Sequence, residues 1–373
     1  MAVPLFDTDA PLAPLREQVN AAVAEVIRSG RFILGPQVKA FERELAEYVG
    51  VAHVIGVGNG TDALTIAARA AGVQAGDDVV LPSLTFYATA EAIAQIGARP
   101  VFCDVDPDTR NVTVDSVRAA LTPATKAIVT VDLFGVPAPS PEIRAAFGLP
   151  VVEDAAQALG ASLAGARAGA LGDVGTFSFY PSKNLGAFGD GGAIATDDDG
   201  IAELARALRF HGSRDKQSFE YVGYNSRLDE IQAAVLRILL RQLDTWCDGR
   251  RAAGEGYASS GLGEHVGLPG MLPGTVPAWH LYAVTHPAAD AILERINTAG
   301  IEARAYYRTP LHRQPAMREF ASTASGHPVE LPVTDELART NIALPISPVL
   351  GPAQIAEVVD AVTAAAALTA TAG

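Results

Sequence analysis

Lys183 stands apart from the other basic residues of the chain. It follows Thr176-Phe177-Ser178-Phe179-Tyr180-Pro181-Ser182 and precedes Asn184-Leu185-Gly186, with Gly189-Asp190-Gly191-Gly192 just beyond. An amine among aromatic and small neutral residues is partly desolvated, which lowers its pKa and leaves it free to form a Schiff base with a carbonyl. A lysine on a solvated face ordinarily has charged neighbours, and this loop has few.

Two further strings carry the chemistry such a lysine needs. In Val57-Gly58-Asn59-Gly60-Thr61-Asp62-Ala63-Leu64 an apolar run enters a Gly-rich turn and then a helical pattern, with Thr61 or Asp62 placed to cap the helix. Amides exposed at a helix start bind anions, and small residues let a phosphate approach the backbone. In Glu153-Asp154-Ala155-Ala156-Gln157 a carboxylate directly follows the apolar Val151-Val152. There it suits a charge-assisted hydrogen bond to a protonated ring nitrogen. Each string also has an ordinary reading, the first as a βα turn and the second as an aspartate capping the next helix.

The elements that must position these residues are short apolar runs at 53–57, 78–81, 101–105, 127–131, 151–153, 176–179 and 193–195. Their near-continuous hydrophobicity predicts strands buried on both faces. Helical spacing between them, as at 63–71 and 88–96, predicts a mostly parallel sheet flanked by helices. Ligands of such sheets bind beyond the carboxyl ends of the strands. One long amphipathic helix is expected over 226–246. Gly and Pro then become frequent over 249–276, marking a change of domain. Beyond it the pattern predicts a strand at 279–285, a helix at 287–299, a strand at 301–307 and a closing helix from 352. Residues 364–373 read as the helix tail or a frayed end. The expected organisation is a large α/β domain with an N-terminal arm, 1–248, and a small α+β domain, 249–373.

Composition narrows the function. The 373 residues are 49% hydrophobic and 19% charged, which suits packed domains. A formal charge of −14 opposes nucleic acid and anionic membrane as partners. A phosphate-bearing ligand must then be held by specific donors. Cys103 and Cys247 have no metal-ligand spacing and read as reduced core residues. No basic leader precedes an apolar run, and no stretch approaches the ~18 apolar residues of a membrane span. A soluble cytoplasmic protein without a metal site is expected.

Taken together, Ser178–Gly186, the upstream Asp154-Ala155-Ala156-Gln157 and the downstream Gly223-Tyr224-Asn225-Ser226-Arg227-Leu228-Asp229-Glu230 resemble the sugar aminotransferase family (DegT-type). These are fold type I pyridoxal-phosphate enzymes, and the likeness runs from Pro11 to about Leu350. It implies that Lys183 carries the cofactor as a Schiff base, that Asp154 pairs with the pyridine nitrogen and that Gln157 touches the 3-oxygen. Gly60, Thr61 and Ser178 would hold the phosphate, and Asn225 would reach it from the other subunit of a homodimer. Phe86 takes the family's stacking position over the ring. Tyr180, Tyr306 and Tyr307 are implied on the sugar side, although Tyr306-Tyr307-Arg308 departs from the His-Tyr-Pro or Tyr-Tyr-Pro of many relatives. Arg308 has two readings, a contact to the nucleotide diphosphate or a solvated loop residue.

The implied activity moves an amino group, with glutamate as donor, to a dTDP- or UDP-linked 3-keto or 4-keto sugar. Lys183 argues against the family's dehydratases, which have histidine there. A fold type I enzyme acting on another keto substrate and a cofactor-binding regulatory protein are the competing readings.

Overall fold

The computed structural model describes residues 3–322 and 327–370. Its central sheet has seven strands: β1 (His53–Val57), β2 (Asp78–Pro82), β3 (Arg99–Cys103), β4 (Thr125–Val131), β5 (Val151–Asp154), β6 (Val174–Ser178) and β7 (Gly192–Thr196). Across the sheet the order is β1, β7, β6, β5, β4, β2, β3. β7 runs antiparallel to both its neighbours, and every other adjacent pair is parallel. All five residues of β2 and all five of β7 are buried, because helices cover both faces. On one face Gly60–Ala70 contributes Ala63, Leu64, Ile66, Ala67 and Ala68 to a core shared with β2 and β4. On the other, Pro36–Val49 and Glu230–Leu240 pack Phe41, Leu45, Val235 and Leu239 against Phe177 and Ala193. The Glu230 carboxylate accepts from the amides of Gln37 (2.9 Å) and Val38 (2.8 Å), tying the start of one helix to the start of the other.

The small α+β unit pairs β8 (Tyr282–Thr285) antiparallel with β9 (Asn341–Leu344). The helices Ala289–Thr298 and Pro352–Ala370 cover it, with a core that includes Tyr257, Ile292, Ile342 and Val358. The helix Leu243–Ser259 passes through residues 248 and 249. It gives Cys247 to the core around Phe177 and Tyr257 to that of the small unit.

Three expectations of local structure are corrected. The helix expected over 226–246 is two helices, Glu230–Leu240 and Leu243–Ser259, parted by a turn at Arg241-Gln242. It starts at Glu230 because Ser226 is held elsewhere: its amide donates to the Arg209 carbonyl (3.1 Å) and its hydroxyl accepts from Gly58. The expected strand at 301–307 is reduced to bridges at Ile301 and Arg304. The Tyr306 amide donates to the Asn341 side chain (2.6 Å), and the chain turns there. The strand expected at 101–105 lies two residues earlier, at Arg99–Cys103. The closing helix reaches Ala370, and the last three residues of the expected tail lie outside the described residues.

Cys103 and Cys247 are both buried and unpaired. Among the described residues no helix is long and apolar enough to cross a membrane, and no cluster of metal-ligating side chains occurs.

Candidate active site

The carboxyl ends of β1, β5 and β6 converge with the β6–β7 loop. After β1, Asn59 is extended and its side chain accepts from the Asp62 amide at 2.8 Å. Asn59 is therefore the helix cap, not Thr61 or Asp62, since only a residue outside the helix places its oxygen over the third helical amide. The first amides, of Gly60 and Thr61, have no acceptor within the helix. Ser178, the last residue of β6, packs directly on them: a Cβ on Gly60 would lie 2.7 Å from the Ser178 Cβ. Gly192, at the start of β7, meets the same turn, where a Cβ would come 2.4 Å from the Asn59 carbonyl oxygen. Backbone amides and one hydroxyl thus line a cradle that larger residues would fill.

Asp154 ends β5 and is 5% exposed. Burial raises its carboxyl above the usual range. Hydrogen bonds from Thr89 Oγ1 (2.8 Å) and the Ala156 amide (3.2 Å), and the charge of Lys183, act the other way. Lys183 sits in a loop tied at both ends: the Phe179 amide donates to Gly191 (2.8 Å) and the Ala187 amide to Phe179 (2.7 Å). The neighbouring Asn184 donates to the Ala278 carbonyl at 2.7 Å. Burial lowers the Lys183 amine to about 8, with Asp154 opposing that shift. At neutral pH a useful fraction is then unprotonated and nucleophilic.

Gln157 is buried and bonded at both ends of its amide. Its Oε1 accepts from the Phe134 amide (3.0 Å) and its Nε2 donates to the Tyr307 hydroxyl (3.2 Å). The Tyr307 ring lies between Phe134, nearly parallel at 6.5 Å, and Phe86 at 6.1 Å, with Tyr306 edge-on at 5.5 Å. Phe86 is 55% exposed and Tyr180 56%, so both rings present an open face. Asn225 is exposed, and no hydrogen bond among the described residues joins its side chain to the Lys183 loop of its own chain. Arg308 is turned away: it donates to the carbonyls of Ala338 and Arg339 and to Asp290 (2.6 Å). It caps the end of the helix Pro332–Thr340, which neither sequence reading anticipated.

Sequence reasoning assigned no role to Thr89, Phe134 or Ser226. Thr89 lies in the same Leu84–Thr89 string as Phe86, and Phe134 follows β4 at the ligand end of the sheet, so both were within reach of the strand-end rule. Ser226 carries no local signal for its bond to Gly58 at 2.9 Å.

An anion cradle, a buried carboxylate able to face a ring N–H⁺ and a lysine of lowered pKa form the donor set that a phosphorylated pyridine aldehyde requires. The fold and this set suit an α/β enzyme that uses an aldehyde cofactor. The chain belongs to the DegT/DnrJ/EryC1/StrS aminotransferase family, which it matches over residues 14–363. It is 42% identical over 360 residues to a UDP-N-acetyl-3-dehydro-alpha-D-glucosamine 3-aminotransferase of Acidithiobacillus ferrooxidans, covering 96% of each chain. It is 44% identical over 367 residues to a dTDP-3-amino-3,4,6-trideoxy-alpha-D-glucose transaminase of Streptomyces venezuelae, covering 96% of this chain and 95% of the relative. Among solved structures it is similar to S. venezuelae DesV in complex with a ketimine intermediate, with a TM-score of 0.93, 43% identity and 98% of each chain covered.

Proposed function

We propose that this chain transfers the amino group of glutamate to a 3-keto or 4-keto sugar linked to dTDP or UDP, in amino-sugar biosynthesis, with pyridoxal 5'-phosphate carried on Lys183. The observation that carries this reading is a buried lysine, lowered to about 8, in the same electrostatic field as the buried Asp154 that ends β5. The names of the relatives support the substrate class.

Pyridoxal phosphate supplies, when bound, an electron-withdrawing ring that stabilises negative charge at the carbon losing its proton. The chain's own residues do the rest. Gly60, Thr61 and Ser178 hold the phosphate by amides and a hydroxyl, which suits a protein of net charge −14. Asp154 accepts from the ring nitrogen and keeps it protonated, and Thr89 fixes the carboxylate's orientation. Gln157 borders the ring's 3-oxygen, and the exposed face of Phe86 stacks on the ring. Lys183 Nζ removes a proton from the donor's α-carbon and delivers one to the sugar carbon, a task matched to its lowered pKa. Tyr180, Tyr306 and Tyr307 line the sugar side. Asn225 reaches the phosphate of a partner subunit, so the working form is a cytoplasmic homodimer with shared sites. The chain divides into a large unit, 1–248, and a small one, 249–373, that share the helix Leu243–Ser259.

Absorbance tests this. Glutamate added to the loaded enzyme converts the lysine-bound cofactor to its amine form, and a keto-sugar nucleotide then restores the first spectrum. A spectrum that ignores glutamate and every other α-amino acid rules the reading out.

A further inference from the structure

Beside the Lys183 loop lies a cavity of about 50 Å³, walled by Phe6, Thr8 and Leu12 of the N-terminal arm and by Lys183, Trp246 and Arg250. Arg250 is 8% exposed. Its Nη1 donates to the carbonyls of Trp279 (3.0 Å) and Ile346 (3.1 Å), and among the described residues no carboxylate pairs with it. A buried guanidinium without a counter-charge is costly; the buried Arg209, by contrast, is paired with Glu42. Arg110 also lacks a carboxylate but borders no part of this cavity. One carboxylate, Asp7, does line the space, yet its Oδ1 accepts from the amides of Asp9 (3.2 Å) and Ala10 (3.0 Å) in its own turn. Next to Arg250 is a second uncompensated group. His280 is 5% exposed, stacks on Phe6 at 5.8 Å, and its Nδ1 is buried without a partner.

A small cavity that touches the reactive lysine and holds an unpaired cation calls for an anion of the reaction itself. We propose that it is the subsite for the α-carboxylate of the amino donor, with Arg250 as its counter-charge and His280 as a positioning residue behind it. The assignment rests on the aminotransferase reading above. The donor's nitrogen takes the place of the Lys183 amine, and its α-carboxylate carbon is two bonds from that nitrogen. The side-chain carboxylate of glutamate lies several bonds further out, so only the α-carboxylate stays beside the lysine. Selection at this subsite is for α-amino acids as a class, and the N-terminal arm closes it.

The test separates the two half-reactions on the loaded enzyme. Binding of 2-methylglutamate, which lacks an α-hydrogen and cannot be deprotonated there, is read from the cofactor absorbance without turnover. Donor half-reactions with glutamate and with alanine run beside it. Arg250→Gln weakens all three about ten- to a hundredfold, the loss of a charged hydrogen-bonding partner, while the sugar-nucleotide half-reaction stays within about twofold. Asp7→Asn keeps the turn's acceptor, removes a like charge and tightens donor binding severalfold. If Arg250→Gln does not fold, the Asp7 variant decides. Folded variants that bind 2-methylglutamate as the parent does overturn the subsite, as does an Arg250→Gln defect equal in both half-reactions. If the parent itself converts glutamate while the variants are unmoved, only the subsite falls; if the parent converts no α-amino acid, the underlying reading falls with it.

Discussion

Thr89 Oγ1 donates a 2.8 Å hydrogen bond to Asp154 Oδ2, and both side chains are buried. The Thr89 oxygen also lies 3.1 Å from Thr85 Oγ1, so a short hydroxyl chain leads into the carboxylate. A hydrogen bond to a charged group is worth ~1.5–3 kcal/mol. Thr89→Val leaves Asp154 one donor short in a dry site. The expected result is a loaded enzyme whose kcat falls about tenfold or more, with the lysine-bound absorbance intact; Thr89→Ser restores most of the rate.

Asp154→Asn gives opposite effects on loaded and empty protein. The Asp154 carboxyl is raised by burial, so the cofactor-free protein loses stability as pH climbs from the ordinary carboxyl range through that raised value. Asparagine does not ionise and removes that pH-dependent loss, so above the raised value the unfolding temperature of the cofactor-free variant exceeds that of the parent. The same variant retains cofactor but loses most of its transamination, because the ring nitrogen is no longer held protonated. Calorimetry and steady-state rates measure the two halves.

The pH dependence of cofactor attachment reports on Lys183. Its amine is lowered to about 8, so the rate at which the empty protein captures pyridoxal phosphate climbs with pH and levels off above that value. An ordinary lysine would keep climbing to about 10. Lys183→Ala shows neither the lysine-bound absorbance nor turnover.

Arg308→Ala separates the two sequence readings of that residue. The side chain closes the end of Pro332–Thr340 and reaches Asp290, so its loss costs about 1 kcal/mol of stability. The dissociation constant of the sugar nucleotide stays unchanged, as titration of the loaded enzyme will show. A large loss of nucleotide affinity would place Arg308 on the diphosphate instead.

Complementation tests Asn225. Asn225→Ala weakens cofactor retention by up to about tenfold without unfolding the protein. Mixing it with Lys183→Ala gives heterodimers in which one site has both lesions and the other neither. Activity above either parent supports the shared site; its absence in verified heterodimers, with the Asn225 variant severely impaired, removes it.

The parts of the fold that were legible are those set by local pattern. Residues 53–57 read as a strand because nearly every position is apolar, and Lys183 was conspicuous because its neighbours are not charged. What stayed hidden depends on residues far apart in the chain. Thr89 and Asp154 are 65 positions apart, and nothing near Thr89 announces a carboxylate. The helix expected from 226 begins at Glu230 because Ser226 answers an amide at Gly58. The strand expected at 301–307 gives way because the Asn341 side chain takes the Tyr306 amide. Arg308 looked like a loop residue until the end of Pro332–Thr340 was placed beneath it.

The place of β1 in the sheet has a consequence for how the site comes into being. β1 is an edge strand whose ladder runs to β7 alone, His53 facing Thr196, so the first of the seven strands in chain order waits for a partner made about 140 residues later. The Gly58–Thr61 turn gains its Ser178 wall over the same interval. Such long-range closure is slow relative to local folding. Cofactor capture therefore comes late in the folding sequence, and the appearance of the lysine-bound absorbance during refolding marks completion of the sheet, not collapse of the chain.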